Sequence, residues 1–381
     1  MKVNQIPSVR ISPDNATVLQ NLGLLAELAG TWHGEGFNLI GRPDFQDNAN
    51  VFLELNLTRE TLTFEPISTS IPNRGTFQDD IQLFGLTYLQ KISDATTGGA
   101  LHIEPGIWVT QSSPTNPVPT PPAGIQLVGR MGSIPHGNAL LAEGTAAPFV
   151  GVPTLDPGAQ PLSGGNPAFS SFPSFNSTPF TPPFPTAIFS AGTSEAQSKP
   201  GGGFSEYTLA NAATTANPRT PLGNVPPILP PSITQNLVND PIILLQQTIQ
   251  QQVAEGHTFE GVVLNIATVS PIEFFTQPSL SGSPPPPTVP VALPQFGGGI
   301  ENLPFLQTNA DTVVVYATFW IEKVSHPDRP TFMQLQYAQM VLLNFPAILI
   351  PSTAPSPVSD QGKLNFSWPH VSVATLRKVF G

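Results

Sequence analysis

The chain has 381 residues, of which only 10% are Asp, Glu, Lys or Arg and 46 are proline. The net charge is −11 and the 14 basic residues are scattered, which argues against nucleic acids and anionic membranes as partners. There is no cysteine, so disulfides, thiolate metal sites and cysteine nucleophiles are excluded.

The low charge, combined with 24 phenylalanines, predicts a folded chain, because disordered chains combine low hydrophobicity with high net charge. The first residues, MKVNQIPSVRISPDN, lack the apolar core of a signal peptide. No apolar run approaches the roughly 18 residues of a membrane span. We therefore expect a cytoplasmic protein with no membrane partner.

A short helix is predicted near the N terminus, within NATVLQNLGLLAELAG. Four leucines follow one another at helical spacing, and Gly30 ends the pattern. These leucines are Leu19, Leu22, Leu25 and Leu28. We expect them to form the apolar side of the helix.

About eleven strand-like runs follow, rich in β-branched and aromatic residues and separated by Gly, Pro and Asn. They are TWHGEGFNLI, VFLELNL, ETLTFEPI, IQLFGLTYLQKI, ALHIEPGIWVT, GIQLVGRMGSI, ALLAEGTA, TFEGVVLNIATV, DTVVVYATFWIEKV, TFMQLQYAQMVLL and PHVSVATLRKVF. Such a series favours a closed antiparallel barrel over alternating β and α units. We predict an all-β, lipocalin-like barrel of about ten strands in a single domain over residues 1–381.

Two proline-rich segments, residues 148–239 and 277–304, interrupt the series. Proline lacks the N–H that a strand or helix interior needs, so we interpret both as long loop insertions. One interpretation makes them surface loops. The other packs their phenylalanines over the barrel mouth as a lid or a contact between subunits of a homo-oligomer.

A second short helix is predicted in DPIILLQQTIQQQVAEG, between the two insertions. Asp240 suits its N-cap and Gly256 its end. Its apolar stripe comprises Ile242, Leu245, Ile249 and Val253. We expect this stripe to pack on the barrel, and the three consecutive glutamines to face water.

No phosphate-binding loop, G-x-S-x-G elbow or zinc-binding histidine pair is present, so chemistry must come from scattered polar residues. Of the six histidines, His257 and His326 lie at turns and are expected to face solvent. His136 follows Ser133 in GSIPHGN, which is most simply interpreted as a hairpin turn. No nucleophile with a base and an orienting acid can be named, so catalysis without a cofactor is the least supported function.

His102 and Glu104 share one face of the strand ALHIEPGIWV, because side chains alternate along a strand. If that face looks inward, the pair forms a polar spot in an apolar cavity. The alternative is a structural hydrogen-bonded pair, since buried polar groups need partners.

His370 opens the last predicted strand, behind a Trp-Pro pair. It shares a face with Ser372, Ala374 and Leu376, and small neighbours leave room for a bulky group beside the imidazole. Neutral imidazole is an effective iron ligand, and an axial histidine commonly holds haem. The alternative is a histidine that merely ends a core strand.

Four segments together resemble, in the same order, those of nitrobindin-like haem-binding β-barrels, which are related in form to fatty-acid-binding proteins and lipocalins. The segments are Gly30–Gly36 (GTWHGEG), Tyr88–Gln90 (YLQ), Leu101–Gly106 (LHIEPG) and His370–Arg377 (HVSVATLR). The resemblance covers about residues 25–147 and the closing strands.

In that family the histidine opening the final strand is the proximal ligand of haem iron, which the resemblance assigns to His370. The candidates on the distal side are His33, His102 and His136, with Glu104 beside His102. The resemblance implies a haem-binding barrel with haem-linked redox or small-ligand chemistry. Two alternatives stay open: a haem-free barrel for a fatty acid or other lipophile, and a structural protein whose loops join subunits.

The resemblance also places Trp32 at the closed end of the barrel, where a cationic side chain such as Arg377 would stack on it. His370 and Arg377 fall on opposite faces of a regular strand. A bulge is therefore needed if both are to point inward.

Overall fold

A computed structural model describes residues 15–44, 49–76, 79–111, 124–134, 138–155, 209, 212–213, 229–239, 241–268, 311–348 and 363–379. The helical elements are α1 (Asn15–Leu22), a 3₁₀ helix (Gly23–Leu28), α2 (Gln235–Asn239) and α3 (Ile243–Ala254). The strands are β1 (Gly30–Asp44), β2 (Ala49–Pro66), β3 (Ile71–Asn73), β4 (Ile81–Asp94), β5 (Ala100–Gln111), β6 (Gln126–Ile134), β7 (Asn138–Val150), β8 (Ala212–Ala213), β9 (Thr258–Ala267), β10 (Asp311–His326), β11 (Arg329–Ile348) and β12 (Lys363–Val379).

Ten of these strands close into an antiparallel barrel, as the sequence predicts. Their order is β1-β2-β4-β5-β6-β7-β9-β10-β11-β12, and β12 pairs back to β1. The short strands β3 and β8 lie outside this ring, on β4 and β2. VFLELNL and ETLTFEPI, predicted as two strands, form the single strand β2, because pairing with β1 continues across both.

The register assigns each side chain to the lumen or to the outer face. Trp32 and Ile40 lie on the same side of β1, and across the closing pair they face Lys378 and His370. Trp32 belongs to an apolar cluster that fills the lumen. A second cluster, which includes Trp320 and the residues of α2 and α3, lies on the outer face.

One end of the barrel is closed by the N-terminal segment. The helix predicted over the four leucines breaks at Gly23, whose φ of +57° is left-handed, and continues as the 3₁₀ helix. With three residues per turn, this helix aligns Leu25 with Leu28, and Leu22 at the end of α1 is buried with them; all three are 0% exposed. The prediction for Leu19 is wrong: it lies in the preceding α-helix and is 40% exposed, while Val18 is buried.

Trp32 completes this closed end. It is fully buried, and its Nε1 donates to the carbonyl oxygen of Leu28 at 2.8 Å. The cation beside its ring is Lys378, with Nζ 5.0 Å from the ring centroid, and not Arg377. Arg377 points outward and lies over Phe332 instead. Lys378 satisfies the strand alternation without a bulge, because it shares the inner face with His370.

Helix α3 packs on the outer face, but its buried side differs from the predicted stripe. Leu245 and Ile249 are buried as expected, whereas Val253 is 43% exposed. Gln252, predicted to face water, is buried in its place. The reason is that Gln252 hydrogen-bonds Gln334, which lies on the barrel wall beneath the helix. Gly256, at φ +89°, follows the helix end as the sequence predicts.

Most of the two predicted insertions, and the turn containing His136, lie outside the described residues. Within 148–239, strand β7 continues to Val150, and Ala212 pairs in parallel with Leu53 of β2. The single-domain boundaries and the role of the insertions therefore stay predictions.

We expect Leu25→Ala to lower the free energy of unfolding by about 2–5 kcal/mol, because it opens a cavity at the closed end of the lumen. Leu19→Ala is the matched control and should cost about 0.5 kcal/mol, since that side chain is partly in solvent. Urea denaturation followed by circular dichroism measures both. Equal losses of unfolding free energy in the two variants would contradict the burial of Leu25 at the closed end of the lumen.

Candidate functional site in the barrel lumen

His370 lies on the inner face of β12. Its register partners are Ile40 on β1 and Val341 on β11, so an apolar side chain flanks the imidazole on either side. The residue is partly buried. The next inward pair toward the closed end is polar: Asn38 Nδ2 donates to Ser372 Oγ at 2.8 Å.

The space that the sequence predicts beside His370 is partly filled. Ala374 lies opposite Tyr337 of β11, and both are buried in the lumen cluster. Tyr337 also stacks on Phe319, with ring centroids 5.5 Å apart. The lumen is therefore packed at the level of Ala374, and any free space beside His370 lies on the other side of Ser372, away from the plug.

A buried ion pair occupies the middle of the lumen. The structure places His102 and Glu104 on the inner face of β5, and their side chains meet at 3.3 Å. Arg130 of β6 donates to Glu104 Oε1 at 2.7 Å, and both side chains are at least 98% buried. Tyr88 of β4 donates its hydroxyl proton to the same carboxylate oxygen and accepts a hydrogen bond from Arg130 Nε at 3.1 Å.

Glycine makes room for this cluster. A Cβ atom at Gly106 would lie 2.4 Å from the ring of Tyr88, and one at Gly132 would lie 2.6 Å from Glu104 Oε1. No side chain fits at either position without displacing the ion pair or the tyrosine. The L-H-x-E-x-G segment thus supplies the carboxylate of Glu104 and, two residues later, a glycine that leaves room for the ring of Tyr88.

Arg130 links two walls of the lumen. Its Nη1 donates to Gln339 Oε1 of β11 at 2.9 Å. Gln339 lies opposite Ser372, one inward pair away from His370. Hydrogen bonds therefore connect His102 through Glu104 and Arg130 to the wall that carries His370.

A second polar group lies beside this network. Tyr337 donates to Glu60 Oε2 at 2.6 Å, and Thr58 donates to Glu60 Oε1 at 2.9 Å. Gln90 Nε2 donates to the Tyr337 hydroxyl at 3.2 Å. The half of the lumen away from the N-terminal plug is therefore lined by polar side chains, most of them hydrogen-bonded to one another, while the plugged half is apolar. Among the described residues, Asn38 Oδ1 is buried there without a hydrogen-bond partner.

Glu104 and Glu60, both buried in the lumen, differ in charge preference. Burial alone would raise the pKa of Glu104, but Arg130, His102 and Tyr88 outweigh it and lower the pKa to about 2. Among the described residues no ion pair includes Glu60, and burial raises its pKa despite the donors from Tyr337, Thr58 and Gln90. Arg130 thus favours the ionised form of Glu104, whereas burial favours the protonated form of Glu60.

His33 does not join His370 in the lumen. It is exposed on the outer face of β1, where Nδ1 lies 2.9 Å from Thr61 Oγ1. With His102 it lines a surface pocket of about 800 Å³ across β1, β2, β4 and β5, whose rim carries Arg59 and Lys91. His136 lies outside the described residues.

Arg130, Glu60, Tyr337 and Gln339 were not predicted from the sequence as site residues. Arg130 carried a usable signal: it is the single charge in GIQLVGRMGSI, on the same face as Val128. A charge on an apolar strand face predicts a buried partner. Which partner it has depends on the barrel register, which no sequence spacing shows.

Within the described part of the chain, no group of three or more His, Asp or Glu side chains is arranged to hold a metal ion. None of the helices there is long and apolar enough to cross a membrane. The cytoplasmic location and the partners stay predictions.

No protein-family model and no curated protein matches this chain. A crystal structure of Rv2717c from M. tuberculosis is similar over 96% of this chain and 100% of its own, at 11% identity and a TM-score of 0.31. A likeness this weak carries no argument. The barrel rests on its own strand pairing, and the nitrobindin-like resemblance stays a prediction.

We expect Glu104→Gln to lower the free energy of unfolding by about 3–5 kcal/mol at neutral pH, because it leaves Arg130 buried without a counter-charge. Since the pKa of Glu104 is lowered to about 2 from 4.5, its contribution is present above pH 4.5 and is lost as the pH falls toward 2. Urea titrations across this range should show the wild type and the variant converging in acid.

The matched control is Glu260→Gln, which breaks the exposed pair with Lys323 at 2.6 Å. This variant should cost less than about 1 kcal/mol, as solvent-exposed pairs do. A loss at Glu104 as small as that at Glu260 would refute a structural role for the lumen ion pair.

Proposed function

We propose that the barrel binds haem, with His370 as the axial ligand of the iron. The observation that carries this proposal is the position of His370: it faces the lumen, between Ile40 and Val341, on the side of Ser372 away from the plug. Imidazole is the side chain that most often holds haem iron, and apolar flanks suit a flat apolar macrocycle.

Two features of the surrounding residues support this proposal. Tyr337 and the Arg130–Glu104 pair fill the middle of the barrel, so a bound group would rest on a packed layer of side chains. The neighbouring inward pair, Gln339 and Ser372, is polar, and both residues are held by hydrogen bonds, to Arg130 and to Asn38. Haem bound there would supply an iron with a position for a small ligand such as a nitrogen oxide or peroxide.

The lumen network contributes a fixed electrostatic environment under this proposal. Arg130 and Glu104 neutralise each other, so the lumen gains no net charge from them. Burial raises the pKa of Glu60 in the same chamber and so favours its protonated form. His102 contacts Glu104 and is 22% exposed, so its imidazole lies between solvent and the network.

The same network disfavours a fatty acid in the middle of the lumen. A bound carboxylate needs a buried cation, and the guanidinium of Arg130 is already paired with Glu104 and bonded to Tyr88 and Gln339. A second buried anion would lack compensation. A neutral lipophile held near His370 is the alternative that the test below must separate from haem.

The test is hemin titration of the purified protein, followed in the visible spectrum. The wild type should develop a sharp Soret band, His370→Ala should lose or shift it, and His370→Gly should regain it when imidazole is added. His33→Ala is the matched control, because it removes a histidine from the outer face of the same barrel.

Identical weak spectra for the wild type and His370→Ala would reject haem binding. Circular dichroism of each variant confirms that the barrel is folded. Mass spectrometry of the denatured wild type would then reveal any colourless apolar passenger, and its presence would favour the lipophile.

A further inference from the structure

A carboxyl group is buried between α3 and the barrel wall. Glu322, on the outer face of β10, is 0% exposed. It lies opposite Gln334 of β11, whose Nε2 donates to Glu322 Oε2 at 2.5 Å. The mechanism proposed for the lumen makes no use of this group, because it lies on the other side of the barrel wall.

Hydrogen bonds join this carboxyl group to the helix. Gln252, in the last turn of α3, exchanges two hydrogen bonds with Gln334, at 2.7 and 3.2 Å. This exchange explains why Gln252 is buried in place of Val253. Gln336, the next outward residue of β11, donates to Thr375 at 2.8 Å.

The pocket lacks a counter-charge. Among the described residues, no ion pair includes Glu322, and neither its Oε1 nor Gln336 Oε1 has a hydrogen-bond partner. A buried carboxylate without a cation takes up a proton instead of remaining charged.

Ionisable groups near this interface are directed elsewhere. On β12, Arg377 is exposed and lies over Phe332. At the end of α3, Glu255 pairs with Arg329 at 2.6 Å. His257 and His326 bond the carbonyl oxygens of Gln252 and Glu255. Lys323, which follows Glu322 in β10, pairs with Glu260 of β9 at 2.6 Å.

We propose that docking of α3 on the barrel is coupled to proton uptake at Glu322, so that the helix is held by a proton-dependent latch. The protonated carboxyl group accepts the hydrogen bond from Gln334 and stays buried beside the outer apolar cluster, which includes Trp320, Val371 and Val373. The charged form must be hydrated, and hydration requires the helix to lift.

The direction of the pH effect follows from the burial. Desolvation raises the pKa of Glu322 to about 8 from 4.5 when the helix is docked, despite the hydrogen bond from Gln334. The docked form therefore holds a proton between pH 4.5 and 8 that the undocked form has released. Docking is strongest below pH 4.5, weakens by up to about tenfold for each pH unit, and levels off above pH 8.

Amide hydrogen exchange of the peptide covering residues 243–254 tests the latch. Wild type and Glu322→Gln are compared at the same pH, which cancels the intrinsic exchange chemistry and every pH effect that the two proteins share. Between about pH 5.5 and 7.5 the protection of the wild type should fall by up to about a hundredfold relative to the variant.

The matched control is Glu255→Gln, which removes an exposed carboxylate from the same helix end and should retain the pH dependence of the wild type. Glu322→Met provides a second non-titrating variant should Glu322→Gln fold poorly. Parallel protection profiles for the wild type and both Glu322 variants would overturn the proposal. The readout does not involve haem, so its failure leaves the function of His370 untouched.

Discussion

Pairing between β1 and β12 closes the barrel, and the two faces of every strand follow from that one register. Alternation puts Trp32 and His370 inside and sends His33 and Arg377 outside. Closure also removes the exposed strand edges that an open sheet of this size would present. Displacing the register by one residue would turn the polar lumen residues to the outer face and would turn the leucines of the outer cluster, such as Leu39, Leu53 and Leu55, into the lumen.

Within that frame, the lumen is divided by polarity. Leucines and Trp32 fill one half, and two neighbouring hydrogen-bonded sets, one around Arg130 and Glu104 and the other around Glu60 and Tyr337, line the other. Such a set is stable in a low-dielectric interior because its members satisfy one another, and the loss of one member leaves another buried alone. Arg130 is central, since it bonds three residues that come from three different strands.

The strand series and the barrel could be predicted from the sequence because strands have a simple period and are separated by turn residues. The inward positions of His102, Glu104 and His370 follow from alternation once one inner residue of the same strand is known, Trp108 for the first two and Ala374 for the third. The same argument applied to His33 would have placed it outside.

Other features depended on information that lies far away in the chain. Gln252 and not Val253 lies on the buried side of α3 because its side chain hydrogen-bonds Gln334, which is 82 residues away in the chain. The partners of Arg130 likewise come from β4, β5 and β11. The three-residue spacing of the leucines is compatible with an α-helix and with a 3₁₀ helix. The α-helix ends at Leu22, Gly23 adopts a left-handed conformation, and the chain continues as a 3₁₀ helix.

The plug formed by Trp32 and the three buried leucines has a kinetic consequence. Under the proposed function, a molecule bound to His370 could not leave through that end and would depart by the route along which it arrived. By microscopic reversibility, any segment that narrows this route slows arrival and departure by the same factor. A narrow route would thus lengthen the residence time of a ligand in the barrel without changing its equilibrium affinity.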